Sequence, residues 1–222
     1  MYHYVRRQNT DEFKLNFLDV DDFKKQINYF QNRYGIITRK EWFRCIEERN
    51  FERAGGKVLL TFDDGLSDHF NFVLPALKDE KLWGMFFIPT LPIAEKKPLN
   101  VHKIHMICGS VNPKKIIELM LNLDKEIQSA KIDTAGQVFP TSFYQTQSND
   151  AAISAFKKTF NYLIKPESIS PLLDHILNAC NLDFDVAKTY MNSNQIKILS
   201  DEGMEVGAHS INHFVMRNLS KK

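Results

Sequence analysis

The sequence predicts an α/β protein whose strands form a mostly parallel sheet. Short apolar and β-branched segments alternate with segments that carry apolar residues at helical spacing, as expected where crossover helices join parallel strands. Residues 99–201 break this alternation, because they contain helical patterns only, and a fifth strand follows them. With 43% hydrophobic residues, the 222-residue chain has enough apolar mass for a sizeable core.

Two pairs of a strand and a helix are predicted before residue 51. The first helix carries Phe23, Ile27 and Phe30 on one face. The second helix has a capping box, because Glu41 follows Thr38 by three positions. The predicted strands are residues 2–5 and 35–38, and the predicted helices are residues 18–34 and 39–50.

Three further strands complete the predicted sheet. The segment KVLLTF precedes a helix that Pro75 should kink, and WGMFFI follows that helix. The helical insertion 99–201 then leads to MEVGAHS, which Gly203 separates from the preceding helix. These strands are residues 57–62, 83–88 and 204–210, and the helix is residues 66–82.

Charge and composition exclude several classes of protein. The formal net charge is only +2 and no long basic run occurs, so nucleic acid is not an expected partner. The N-terminal residues lack the apolar core of a signal peptide, and no apolar run reaches the roughly 20 residues that span a bilayer, so a cytoplasmic protein is expected. The isolated cysteines Cys45, Cys108 and Cys180 suggest neither disulfides nor a thiolate metal site.

Two adjacent carboxylates end the third strand in the sequence LLTFDDG. Successive side chains on a strand point to opposite faces, so Asp63 and Asp64 can serve one site only at the strand end. Gly65 allows the backbone to turn sharply there. Taken alone, such a pair is also typical of a helix N-cap next to a turn.

Two histidines follow the fifth strand in the sequence HSINH. Four residues along a strand span about 13 Å, whereas four along a helical turn bring side chains within about 6 Å. We therefore expect His209 at the strand end and His213 one turn later. Parallel strands present their carboxyl ends on one edge, where active sites of α/β proteins lie. Two histidines and one carboxylate can hold a metal, and if Asp64 binds it, Asp63 is available as a base.

The motifs TFDDG and HSINH resemble the first two motifs of the polysaccharide deacetylases, a carbohydrate esterase family that acts on chitin, peptidoglycan and related glycans. The segments YHYV and GMFFIPTLPI and the helical insertion are similar to a branch of that family associated with surface-glycan synthesis, so the resemblance spans nearly the whole chain. It implies a single deacetylase-like domain over residues 1–222, with the insertion at 99–201 inside it.

This resemblance implies specific roles. Asp63 would be the general base, and Asp64, His209 and His213 would bind a divalent metal, usually zinc. The implied reaction is hydrolysis of an acetyl group from an N-acetylated sugar or glycan. The sugar, the choice between N- and O-acetyl groups, and the oligomeric state are not determined by these motifs.

The sequence departs from the family pattern after His213, because the later arginine, aromatic and acid-histidine motifs cannot be assigned before Lys222. Five predicted strands are also fewer than the roughly eight of a closed barrel. We therefore expect an incomplete (β/α) barrel of the deacetylase type, truncated after the second motif.

Two other functions stay open. The chain could be an inactive remnant that binds metal or glycan only. It could also be a glycosidase using Asp63 and Asp64, although adjacent carboxylates rarely flank a bond at the roughly 5 Å or more that this mechanism needs.

Other histidines are candidates of lower rank. His3 lies in the first strand and could reach the same strand ends, or could simply pack there. His69 is expected on the surface early in its helix. His102 and His105 are helical neighbours without a nearby carboxylate to complete a metal site, and the lone His175 is expected to be structural.

Overall fold

Five short strands, paired in parallel, form two sheets. The computed structural model of the protein describes residues 1–7, 16–132 and 150–214. The strands are β1 (Val5–Arg6), β2 (Leu18–Asp19), β3 (Thr61–Asp63), β4 (Met85–Ile88) and β5 (Glu205–Ala208). β1 pairs with β2, and β4 lies between β3 and β5. The predicted α/β class with parallel strands is confirmed, and within the described ranges neither sheet closes into a barrel.

Helices make up most of the remaining regular structure. Two π-helical segments, His69–Val73 and Thr159–Leu163, and one 3₁₀ helix, Phe51–Ala54, occur beside the α-helices. The α-helices are α1 (Val20–Arg33), α2 (Arg39–Glu47), α3 (Leu74–Asp79), α4 (Leu91–Ala94), α5 (Asn100–Ser110), α6 (Pro113–Asn122), α7 (Asp124–Ala130), α8 (Ala151–Lys158), α9 (Pro166–Ala179), α10 (Val186–Thr189) and α11 (Ser193–Asp201).

The register of the three-stranded sheet brings the strand ends together. Asp63 lies opposite Phe87, and Phe87 lies opposite Gly207 on the other side. Because all three strands run in the same direction, the segments that follow them leave from one edge of the sheet. Asp64 and His209 are the first residues after β3 and β5.

The strand predicted at residues 35–38 is reduced to a single bridge. Ile36 pairs with Val58, and the backbone N–H of Ile37 donates to the Val58 carbonyl over 3.0 Å. The pairing stops there because Thr38 is already the N-cap of α2, whose predicted capping box with Glu41 is present. The predicted strand therefore continues for no more than this bridge.

The predicted helix at 66–82 is divided in two. Its first part is the π-helical segment, and α3 then begins at Leu74. Pro75 lies just after the π-helical segment, and the backbone before it at Val73 is already helical, so its missing N–H interrupts the hydrogen-bond ladder where the helix type changes. The predicted surface position of His69 is wrong, because its side chain is fully buried against Phe62 and Phe86.

The first of two compact units comprises residues 1–7, 16–97 and 185–211. Aromatic rings dominate its interior, where Phe62 stacks on Phe86 at a centroid distance of 4.7 Å and contacts Phe23 edge-on. Apolar residues of α1, α3 and α11 pack around this centre. The core therefore lies directly beneath the strand ends that carry Asp64 and His209.

The second compact unit comprises residues 98–132, 150–184 and 212–214 and has its own core. It contains helices α5 to α9, and the side chains of Phe156 and Phe160 lie at its centre. Its helices are neither long nor apolar enough to cross a membrane, and the same holds for every helix that the structure describes. The assignment of 99–201 as an insertion within one domain stays a prediction.

Candidate metal centre

The turn after β3 holds Asp64 in a restricted backbone conformation. Asp64 and Gly65 have φ angles of +78° and +63°, in the left-handed region that costs energy for a non-glycine residue. A Cβ atom at Gly65 would lie 3.0 Å from Cγ2 of Ile88, so the turn also packs closely on β4. Asp63 and Asp64 are both buried, with exposures of 7% and 3%.

The segment after β5 is held against the segment after β4. The backbone N–H of His209 donates to the carbonyl of Ile88 over 3.1 Å, and the N–H groups of Thr90 and Leu91 donate to Ser210 and Ile211. Contrary to prediction, no helical turn separates His209 from His213.

Left-handed backbone conformations instead mark this segment. Ser210 and His213 have φ angles of +59° and +55°. A bend between them changes the direction of the chain, so the distance from His209 to His213 is not that of an extended strand.

Asp64, His209 and His213 offer ligand atoms to a common point. Nε2 of His209 lies 3.5 Å from Oδ1 of Asp64, and one ligand atom from each of the three residues lies within 4.8 Å of the others. Neighbouring ligands of a tetrahedral zinc ion, bound at about 2.1 Å, are separated by about 3.4 Å. The spacing of Asp64 and His209 fits that geometry.

The donor set also fits a divalent transition metal. Two imidazoles and one carboxylate suit zinc and related ions better than magnesium or calcium, which prefer oxygen ligands alone. Asp64 is nearly inaccessible, while the side chains of His209 and His213 are partly exposed. A site built in this way keeps one side open to solvent.

Asp63 is the last residue of β3, next to the predicted ligand Asp64. Its backbone N–H donates to the carbonyl of Tyr2 over 3.0 Å, which fixes the main chain at this position. The buried environment is compatible with a base screened from bulk water, and the role of Asp63 stays a prediction.

His3 lies beside the same carboxylate. Its Nε2 atom is 3.9 Å from Oδ2 of Asp64, whereas His209 approaches the other oxygen, Oδ1. Of the two possibilities that the sequence leaves open for His3, packing in the strand or reaching these strand ends, the structure has the second. His102 and His105 lie on α5, and within the described residues neither belongs to a cluster of three potential ligands.

A buried ion pair near the turn was not predicted from the sequence. Nε and Nη2 of Arg6 donate to the two carboxylate oxygens of Asp68 over 2.9 and 3.1 Å, and both side chains are nearly buried. Burial and the nearby Tyr190 and Asp64 raise the pKa of Tyr4 well above its usual value. The only sequence signal was the charge of Arg6 directly after the predicted first strand.

Solved structures of other proteins are similar to this chain at low sequence identity. No family model and no curated protein matches the chain. Three solved structures match, beginning with a de-N-acetylase from Aggregatibacter actinomycetemcomitans at 19% identity and a TM-score of 0.33. That match covers 45% of this chain, which spans only 38% of the length of the de-N-acetylase.

The other two matches are longer and similarly distant. The deacetylase PplD from Streptococcus pyogenes is 14% identical with a TM-score of 0.35, over 96% of this chain and 91% of its own. IcaB from Ammonifex degensii is 17% identical with a TM-score of 0.33, over 99% and 89% of the two chains. This chain is therefore similar to two proteins described as deacetylases and to IcaB, at TM-scores too low to establish a shared fold or activity.

Proposed function

We propose that this protein is a metal-dependent deacetylase that removes acetyl groups from an N-acetylated sugar or glycan. The single observation that carries this proposal is the convergence of Asp64, His209 and His213, which come from two motifs far apart in the sequence, to within 4.8 Å. The motifs TFDDG and HSINH, which resemble those of polysaccharide deacetylases, support the choice of reaction.

Asp64, His209 and His213 would hold the metal, and zinc is the ion that their chemistry favours. When bound, such an ion polarises the acetyl carbonyl and makes water more acidic. Asp63 would accept the proton of the attacking water at its carboxylate. The water oxygen would then bond to the acetyl carbon to form the tetrahedral intermediate. Breakage of its C–N bond, with a proton taken up by the leaving nitrogen, would release acetate and a free amine.

We also propose that the parallel sheet is part of an incomplete (β/α) barrel of the deacetylase type, with residues 99–201 as a helical insertion in a single domain. The parallel order β3, β4, β5 and the location of Asp64 and His209 after strand ends support this assignment. In such a barrel, substrate would approach from the edge where the strands end.

The function is tested by measuring acetate release from an N-acetylglucosamine oligosaccharide with added zinc. We expect the wild-type chain to release acetate, Asp63→Asn to lower the rate at least about 100-fold while still binding zinc, and His209→Ala to lose zinc. His175→Ala is the matched control, because His175 is an exposed histidine on α9 and should change neither property.

The same assay separates the other two functions. If the wild-type protein binds zinc but releases no acetate from any N-acetylated sugar, the deacetylase is overturned and the chain is one that only binds metal or glycan. New reducing ends without acetate would instead indicate a glycosidase. Acetate release that Asp63→Asn leaves unchanged would remove Asp63 from the mechanism.

A further inference from the structure

We propose that His3 positions the Asp64 carboxylate for metal binding. The segment 2–6, which carries His3, therefore contributes to the metal centre. This inference rests on the proposed function, because it concerns the same site. It assigns His3 a positioning role and not a place among the ligands. The three ligand atoms that lie within 4.8 Å of one another belong to Asp64, His209 and His213.

The Asp64 carboxylate lies between two imidazole rings. His209 faces Oδ1 of Asp64 at 3.5 Å, and His3 faces Oδ2 at 3.9 Å, so an imidazole stands beside each oxygen. A separation of 3.9 Å is longer than a direct hydrogen bond and suits a contact through one water or a small side-chain shift. An imidazole there favours the rotamer that presents Oδ1 to the metal.

The backbone around His3 is fixed to β3 and to the helical segment that follows the turn at Asp64. The N–H of Tyr2 donates to the carbonyl of Thr61 over 2.8 Å, and the N–H of Asp63 donates to the carbonyl of Tyr2 over 3.0 Å. The buried ring of His69 contacts the carbonyl of His3 through Nε2 at 2.8 Å. The main chain is thus held on both sides of the His3 ring.

A third attachment lies three residues further along. Arg6 forms its bidentate pair with Asp68, which follows Asp64 by four residues. Segment 2–6 is therefore tied to segment 61–69 by main-chain pairing, by His69 and by a buried ion pair. Several independent attachments to one turn keep the distance between His3 and Asp64 constant, which is the preorganisation that a metal site needs.

The ring of His3 differs from those of Tyr2 and His69 in how it packs. The side chain of His3 is 38% exposed, so its ring contributes little to the core. The neighbouring Tyr2 does pack, with its ring 5.0 Å from Phe23 and 5.6 Å from Phe62. Ring packing thus accounts for Tyr2 and His69, whereas His3 is partly exposed and makes no aromatic ring contact among the described residues.

The test compares zinc affinity in wild type, His3→Ala and His3→Gln by chelator competition, with thermal unfolding in EDTA as a measure of the fold. We expect His3→Ala to weaken zinc binding by about 10- to 100-fold, as partners of metal ligands do, without changing the unfolding midpoint in EDTA. His3→Gln should recover part of the affinity, because its amide nitrogen can reach the place of Nε2. His175→Ala should match wild type.

The absorption spectrum of the cobalt-substituted protein then distinguishes positioning from ligation. A positioning residue leaves the ligand-field bands of the saturated cobalt form unchanged in His3→Ala, whereas His209→Ala should alter or abolish them. Wild-type zinc affinity in His3→Ala would overturn the inference and leave the proposed function intact. Altered bands or complete loss of metal would make His3 a ligand and also overturn it.

Failure of the proposed function has a different result. If wild-type protein binds zinc but releases no acetate, the deacetylase is excluded while the affinities still decide the role of His3. If wild-type protein binds no zinc or cobalt, both proposals are wrong.

Discussion

Three residues in the two loops of the candidate metal centre have a left-handed backbone conformation. Seven non-glycine residues in the described ranges have positive φ angles, and three of them are Asp64, Ser210 and His213. Each such conformation costs on the order of 1–3 kcal/mol and persists only where the surroundings impose it. At Asp64 the imposing contacts are the pairing of Tyr2 with β3 and the hydrogen bond from the N–H of Met191 to the carbonyl of Gly65. The surrounding contacts therefore hold this turn in a conformation that is unfavourable by itself.

Gly65 provides the sharpest test of that turn. We expect Gly65→Ala to lower the free energy of unfolding by about 2 kcal/mol, because the new methyl group meets Ile88 at 3.0 Å and the φ angle of +63° disfavours alanine. Gly203→Ala is the matched control. Gly203 has a φ of +85° but open space around it, so that substitution should cost only about 1 kcal/mol.

Urea denaturation monitored by circular dichroism measures both values. Equal losses in the two variants would mean that contact with Ile88 does not constrain the turn. In that case the left-handed backbone alone would explain the requirement for glycine.

Individual residues differ in how well the sequence predicts them. Asp63 was predicted at a strand end because alternation forbids two adjacent carboxylates from serving one face, and β3 does end there. His69 was predicted at the surface, since nothing local distinguishes it. Its burial depends on Phe62, Phe86 and the His3 carbonyl, which are distant in sequence, so helical periodicity could not reveal it.

At the scale of elements, one side chain, Glu41, makes several stabilising contacts at the N-terminus of α2. Glu41 accepts a hydrogen bond from Lys57 at 2.6 Å and from the backbone N–H of Thr38 at 2.9 Å. These hydrogen bonds lower the pKa of Glu41 from its usual 4.5 to about 2, and the bond from Lys57 has the largest effect. The carboxylate also lies at the helix end that favours negative charge.

Acid should therefore weaken α2 over a defined range. Because the folded pKa is depressed, the contribution of Glu41 is complete above about pH 4.5 and is lost as the pH falls through about 2. Glu41→Gln should show a shallower decline in the free energy of unfolding over that range. Carbon NMR titration of the Glu41 carboxyl measures the pKa directly, and a midpoint near 4.5 would contradict the prediction.

A buried lysine joins two helices of the second unit. Nζ of Lys103 on α5 contacts Asp174 at 2.6 Å and Ser170 at 2.8 Å on α9, and only 4% of the lysine side chain is exposed. Since Asp174 is about half exposed, we expect Asp174→Asn to cost about 2 kcal/mol, less than for a fully buried pair.

Replacing the lysine as well should reverse that loss. Lys103→Met removes the buried charge and keeps the apolar stem, so the double variant Lys103→Met/Asp174→Asn should be more stable than Asp174→Asn alone in urea denaturation. A double variant that is less stable than Asp174→Asn would mean that the lysine supports the helix pair in another way, through Ser170.

Helices were better predicted than strands, for a physical reason. Helical hydrogen bonds are local, so the capping box at Thr38 and the apolar spacing of Phe23 and Ile27 were enough to predict α1 and α2. A strand requires a partner from elsewhere in the chain. The apolar segment 35–38 forms only a single bridge. The short strand β2 forms because it pairs with β1, and no local sequence pattern predicts that pairing.

At the scale of the whole molecule, the sequence predicted which strand ends would share an edge but not how the chain divides into compact units. Alternating strands and helices imply a parallel sheet, and that topology alone places Asp64 and His209 on one edge. The first unit also includes α10 and α11, although they belong to the run of helices at 99–201. Tyr190 and Met191 fix that segment to the turn at Gly65 and Leu66, a long-range contact without a local signal.

Metal binding should appear as a change in the stability of the folded protein. A ligand that binds only the native state, and is present at a concentration 100 times its dissociation constant, raises the free energy of unfolding by about 2.7 kcal/mol. For a chain of this size, that corresponds to a rise of about 5–10 °C in the unfolding midpoint. We expect zinc to produce this rise in wild type and in His175→Ala, but not in His209→Ala, because His209 supplies a ligand. Differential scanning calorimetry with zinc and with EDTA measures the shift. An equal rise in His209→Ala would mean that zinc binds elsewhere, and the paired histidines His102 and His105, whose ring centroids lie 6.0 Å apart on α5, would then be the next residues to substitute.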